Sequence, residues 1–421
     1  MKKNLLMLGL AMMGLCAFTA CSSDNDKKEE RQVEIADAEY DAIINQYVDQ
    51  VVLPTYNDLK TKNTALYNAV VAFGNTPSDA NFQAVCNAWL AAREPWESSE
   101  AFLFGPVADY GLDPNMDSWP LDQEAIVKLL ESQQWNDMEW TGDYDEDDDA
   151  IAAAQNVRGF HTLEFLAFRD GKARTLTDEA TDDEAIAAAQ NVRGFHTLEF
   201  LAFKDGKART LNDKAADGEA ANAVYNEANA TAWAQYMRNT AQLLVNDVNT
   251  LVDAWNNGYA DKFKKHNGGD FTSGLSCIEQ LLDGCIEIAG EVGGAKIGDP
   301  YNLYVSGKTN EALYAVESWY SWHSRDDYTN NIYSIRNVYY GSRDGSINAN
   351  SLSKLVAKYN PTLDLEVKDA IKAAADAIQA IPQPFRNNIN SSEAQEAMEA
   401  CAELGDVLEL KLKPFLQDAT K

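Results

Sequence analysis

The chain has 421 residues, with 35 Lys and Arg against 66 Asp and Glu and a formal net charge of −31. Such a surface excludes nucleic acid as a partner, because that binding rests on neutralising phosphates with Lys and Arg. No run beyond residue 21 is apolar enough to span a bilayer, so roughly 390 residues are left to fold in water, a length that suggests two domains.

The first segment carries an export pattern. Lys2 and Lys3 precede an apolar run over residues 5–17, which ends in Phe18-Thr19-Ala20-Cys21. That core is too short for a membrane span, and small residues leading into a cysteine form the cleavage pattern of a lipoprotein signal. Residues 1–21 are therefore expected to be the signal and its lipidated cysteine, with Cys21 anchored in the membrane by its acyl chains. The expected address is the bacterial cell envelope, at the outer membrane on its periplasmic or surface face. Residues 22–32 are too polar to pack and read as a flexible tether. Four cysteines remain, Cys86, Cys277, Cys285 and Cys401, too few for a disulfide-built fold, and they are expected as buried thiols.

From residue 33 the helical period dominates. Tyr40, Ile43, Ile44, Tyr47, Val48 and Val51 share one face, and Pro54 is expected to kink the helix that carries them. Thr76-Pro77-Ser78-Asp79 opens a helix through Trp89. Trp119-Pro120 is expected to open another over 120–133, capped by Asp117 or Ser118. Further helices are expected over 147–168, 220–257, 275–291, 310–341, 362–380 and 391–412. Alternating strand patterns are scarce. The fold class is therefore all-α, with two helical-bundle domains, 33–215 and 216–421. The acidic run 143–149 lacks the glycine and terminal glutamate of a calcium loop and reads as a solvated helix cap.

One segment is doubled: residues 150–176 recur as 185–211, differing only at Arg169 against Lys204. One site geometry admits one helix, so at most one copy is expected to fill the original position. Within each copy a histidine precedes a glutamate by three, His161 and Glu164, then His196 and Glu199. On a helix that spacing projects both from one face, a two-ligand half-site suited to iron or zinc. A satisfied histidine–glutamate pair is the plainer reading. Gly159, which permits close backbone approach, and the flanking Phe160, Phe165, Leu166 and Phe168 place the pair at the edge of a core.

Gly159-Phe160-His161-Thr162-Leu163-Glu164 resembles the Gly-x-His-x-x-Glu signature of the imelysin-like family, also known as peptidase family M75. Arg93 through Gly105 followed by Asp117-Ser118-Trp119-Pro120-Leu121-Asp122 resembles that family's N-terminal block, and Glu317-Ser318-Trp319-Tyr320-Ser321 with Asp327 and Asn331 its C-terminal block. The resemblance implies two helical bundles, the signature helix near their interface, and an envelope role in iron uptake alongside iron-transport components. Arg93, Glu97, Glu100, Trp119, Asp122, Glu317, Ser321 and Asp327 are then candidate site-lining residues, with His161, Glu164, His196 and Glu199 as candidate ligands for an iron or zinc ion, or for an iron-carrying ligand. From spacing alone, Arg93, Glu97 and Glu100 brace a bundle as readily as they line a pocket.

Two other functions compete. A metal-dependent peptidase of family M75 needs a third protein ligand and a general base, and the chain has no His-Glu-x-x-His to supply them. No catalytic residue is therefore assigned. A glycan-binding or interaction surface would use the aromatics around His323, which serve equally as interior packing.

Overall fold

The computed structural model describes residues 35–138, 189–216, 220–267 and 271–419, together with the strand pair 168–169 and 172–173. Its longer helices, in chain order, are α1 (Asp37–Tyr47), α2 (Leu53–Asn75), α3 (Asp79–Glu97), α4 (Gln123–Ser132), α5 (Gly194–Ala202), α6 (Ala230–Ala254), α7 (Gly274–Glu291), α8 (Ser324–Tyr340), α9 (Pro361–Ala380) and α10 (Ser392–Val407). Short helical turns join them. Strand structure among the described residues is confined to two-residue antiparallel pairs, so the all-α expectation holds. No described helix is long and apolar enough to cross a membrane. The signal, Cys21, the tether, the acidic run 143–149 and the first copy's His161 and Glu164 lie outside the described residues.

Local chemistry explains most helix ends. Ser78, Ser273, Ser351 and Ser391 each accept a backbone N–H in the first turn of the helix they precede. Pro54 sits in the first turn of α2, where its missing N–H costs nothing, and the π-helical turn Val48–Val52 just before it absorbs the irregularity. Trp119-Pro120 does not open the next helix. Asp122 does, accepting from the Ala125 N–H, so α4 begins at Gln123.

The apolar faces merge into one contiguous core arranged as two groups of helices. In one group α3 and α6 each pack on α2, with α5 packed on α3 and α6; in the other, α7 packs on α8, α8 on α9, α9 on α10 and α10 on α7, and α1 lies on α7. Packing thus crosses the sequence division at 215/216, since α6 follows it yet belongs with α2 and α3. Trp89, Trp96, Trp233 and Trp255 are fully buried in this core. The four cysteines are free and buried, with burial pushing each thiol up, Cys277 and Cys401 to about 12.

The expected helix over 310–341 is broken. Thr309–Tyr314 and Ser324–Tyr340 are helical, but the intervening stretch turns irregular, with Ser318 and Trp322 at φ of 50° and 61°. Left-handed backbone at serine and tryptophan is strained and survives only where surrounding contacts enforce it. Here those contacts are a hydrogen bond from the Ser318 hydroxyl to Asp327 and the packing of Trp322 against Gly206.

Candidate metal centre

The second copy of the doubled segment builds the centre. Gly194 begins α5 at φ of 86°, and a Cβ there would lie 2.5 Å from the Met116 carbonyl oxygen. Only glycine lets the signature helix approach this closely. Trp89 Nε1 donates to the Phe195 carbonyl at 2.9 Å, Trp233 Nε1 to the Leu201 carbonyl at 3.0 Å and the Tyr236 hydroxyl to the Val192 carbonyl at 2.8 Å. Beyond α5 the chain folds into a hairpin whose turn residues Asp205 and Gly206 both have positive φ, as a two-residue turn requires. Gly206 lies flat against the Trp322 ring, and its N–H donates to the Tyr320 carbonyl at 2.8 Å. The hairpin thereby docks the signature segment onto the broken stretch before α8.

His196 and Glu199 are almost wholly buried. His196 Nδ1 lies 2.9 Å from Glu199 Oε2. The other oxygen of Glu199 accepts from the Tyr320 N–H at 2.9 Å, the Ser321 N–H at 2.7 Å and the Ser321 hydroxyl at 2.7 Å. Glu199, expected as a ligand, thus has one oxygen filled by these three donors and the other turned to His196 Nδ1. Residues three apart on a helix meet each other as readily as they meet a third body. With Nδ1 facing a carboxylate oxygen, a neutral imidazole here would carry its proton on Nδ1 and turn the Nε2 lone pair into the centre.

That Nε2 is buried and makes no hydrogen bond. It lies 3.0 Å from Asp117 Oδ1 and 3.6 Å from Glu317 Oε1. Donors held about 2.1 Å from a shared ion at tetrahedral or octahedral angles are separated by about 3.0–3.4 Å, so the Asp117 distance suits a common cation and the Glu317 distance is slightly longer than that range. Asp117, His196 and Glu317 can each offer one ligand atom with all three atoms within 4.8 Å of one another, and Glu97, Glu100 and Asp117 form a second such group.

Arg93 is the structural hub. Fully buried on α3, its guanidinium pairs with Glu97 and Asp117, lies 3.0 Å from Glu317 and 3.7 Å from Asp327, and packs against the Trp89 and Phe195 rings. Asp117 also accepts from Trp96 Nε1 at 2.7 Å. Asp327 accepts from the Ser318 hydroxyl at 2.5 Å and lies 2.8 Å from His323 Nδ1, while Glu97 accepts from Asn331 Nδ2 at 2.5 Å. Lys296 Nζ stands 3.1 Å from Glu317 Oε2.

Six carboxylates, Glu97, Glu100, Asp117, Glu199, Glu317 and Asp327, thus surround two fixed cations, Arg93 and Lys296. Burial alone would push Glu97, Glu100, Asp117 and Glu317 up. At Asp117 the charges of Arg93 and His196 outweigh it, and at Glu317 those of Lys296 and Arg93 with the His196 contact do, so both stay below the usual carboxylate range. For Glu97 and Glu100 burial prevails, and both rise well above it. Burial opposes the His196 charge, but Asp117 outweighs it and raises that pKa.

Of the candidates named from the sequence, Arg93, Glu97, Glu100, His196, Glu199, Glu317, Ser321 and Asp327 converge here. The Trp119 ring lies 5.4 Å from that of His196 at the edge. Asp122 does not take part: it is an exposed helix cap. Sequence reasoning passed over two members. Asp117 stood in the quoted N-terminal block but was read as a cap, and Lys296 is one lysine in a glycine-rich stretch with no local signal. The aromatics near His323 mainly pack inward; Trp319 is covered by Tyr314 and by Arg386, whose guanidinium carbon lies 3.7 Å from the ring centre.

These features define a class: an all-helical protein with an acid-rich, histidine-bearing polar centre buried between two helix groups. The profile of the imelysin family, peptidase M75, matches residues 52–183 and again 172–410, and the chain belongs to that family. It is 26% identical over 378 residues to iron-regulated protein A of Synechococcus elongatus, covering 89% of this chain and 86% of that one. A crystal structure described as a putative iron-regulated protein A precursor from Parabacteroides distasonis superposes with a TM-score of 0.74 at 33% identity, covering 92% of this chain and 97% of the other. An imelysin-like protein from Psychrobacter arcticus shares the fold at a TM-score of 0.60 and 12% identity, covering 92% and 99%.

Proposed function

We propose that this protein is a lipid-anchored envelope protein that binds a transition-metal ion, iron in the first instance, for uptake by iron-transport components. The observation that carries the metal reading is the buried His196 Nε2, free of hydrogen bonds and facing Asp117 and Glu317, with its other nitrogen fixed by Glu199. One imidazole with several carboxylates suits Fe(II), Fe(III) or zinc. In this reading His196, Asp117 and Glu317 hold the ion, while Glu199 orients the imidazole from behind. The names of the relatives from S. elongatus and P. distasonis, both iron-regulated protein A, support iron over zinc. The export pattern ending in Cys21 supports the envelope address.

Titrating the protein lacking residues 1–21 with Fe(II) under anaerobic conditions, and with Zn(II), tests the reading. One tight site per chain is expected, lost in His196→Ala and kept in His161→Ala. Equal binding by wild type and His196→Ala removes the metal from the proposal.

A further inference from the structure

The metal reading accounts for His196 but leaves Lys296 unexplained. Lys296 belongs to the π-helical turn Val292–Ile297, where Gly293 packs against Met398 and Cys401 of α10. The Tyr328 hydroxyl donates to the Lys296 carbonyl at 3.2 Å, so its backbone is fixed. Its side chain is only 9% exposed, and Nζ reaches both oxygens of Glu317, at 3.1 and 3.4 Å. On its other side Glu291 Oε1 lies 4.0 Å away, and the Glu291 side chain is 18% exposed. The ammonium therefore stands between a candidate metal ligand and a carboxylate nearer the surface.

An ammonium at this distance from Glu317 occupies the oxygens that a metal needs. It also repels any ion held there, and that repulsion grows in proportion to the ion's charge. The lysine stem is flexible, and Glu291 offers the ammonium a second partner closer to water.

We propose that Lys296 is a tethered cation that competes with the metal for Glu317, and that it sets both the affinity of the centre and its preference for divalent over trivalent ions. This rests on the metal reading above. In the metal-free state Lys296 neutralises Glu317; in the loaded state it withdraws towards Glu291. Arg93 cannot act in this way, because its guanidinium is locked among four carboxylates and two aromatic rings.

The test is competitive titration of wild type, Lys296→Met and Lys296→Arg with Zn(II) and with Ga(III), a redox-inert trivalent probe. Lys296→Met should bind Zn(II) at least about tenfold more tightly than wild type, and Ga(III) should gain by a larger factor. Lys296→Arg, which keeps the charge, should show no gain. Tightening cannot arise from structural damage, which weakens binding. Unchanged or weaker affinity in Lys296→Met, with wild type binding normally, overturns the proposal while leaving the metal reading intact. If wild type binds neither ion, both fall together. Should Lys296→Met fail to fold, Lys296→Gln carries the same expectations.

Discussion

Two buried acidic groups in this molecule behave in opposite ways. On α9, Asp364 is buried and closed: one oxygen accepts from the Tyr339 hydroxyl at 3.1 Å and the Ser353 hydroxyl at 2.7 Å, and the other pairs with Lys368 at 2.7 Å. At the centre, six carboxylates face two cations, and His196 Nε2 is buried without a hydrogen bond, 3.0 Å from Asp117 Oδ1. A buried acid whose partners balance it holds helices together. Acids gathered around an imidazole nitrogen that makes no hydrogen bond are arranged for something absent from the polypeptide.

The comparison can be broken most severely at Arg93. Replacing it with methionine strands Glu97, Asp117, Glu317 and Asp327 around an apolar side chain, and losing one partner of a buried pair costs about 3–5 kcal/mol. Urea denaturation of the metal-free protein should show a loss of that size. At the closed cluster, Asp364→Asn should cost about 1–3 kcal/mol, because Lys368 loses its partner and the hydroxyls lose an ionised acceptor. Its metal stoichiometry and affinity should equal wild type, whereas His196→Ala should lose binding with a smaller effect on stability. If Asp364→Asn bound metal as poorly as His196→Ala, the contrast would collapse.

Two smaller effects sharpen the picture. Deleting residues 150–184 removes the first copy and leaves every described member of the centre in place, so metal stoichiometry by titration should be unchanged. At His323, burial lowers the pKa but Asp327 outweighs it, giving a net rise. A raised folded-state value means that the protonated His323–Asp327 pair stabilises the fold fully at pH below the ordinary histidine range. That contribution, about 1 kcal/mol, should fade as pH rises through the raised value. Wild type and His323→Gln should therefore converge in urea stability at alkaline pH.

Much of this architecture was legible in the residues. The helical period and cap signals located the start of α3 and the bounds of α7, α9 and α10 within a few positions, whereas α6 begins at Ala230 and not at 220, and three ordered motifs marked the segments that meet at the centre. Periodicity did not reveal the break between Tyr314 and Ser324, because Trp, Tyr and Ser tolerate a helix well enough for a continuous one to be expected. That break nevertheless delivers Glu317, Ser321 and two backbone N–H groups to the site. The role of Glu199 was half visible: spacing offered a satisfied pair with His196 as the plainer reading, but not the Ser321 and Tyr320 donors that fill its other oxygen. Lys296 carries no local signal, since its burial follows from where Gly293 lets the turn pack.

The central claim is tested most directly by anomalous diffraction at the iron edge, on crystals of the protein lacking residues 1–21 grown with Fe(II). The account predicts one iron bonded to His196 Nε2 and to carboxylate oxygens of Asp117 and Glu317, with Glu199 remaining on Ser321 and the Tyr320 N–H. Iron held by Glu199 with Nε2 unligated, or located away from α5, would contradict it.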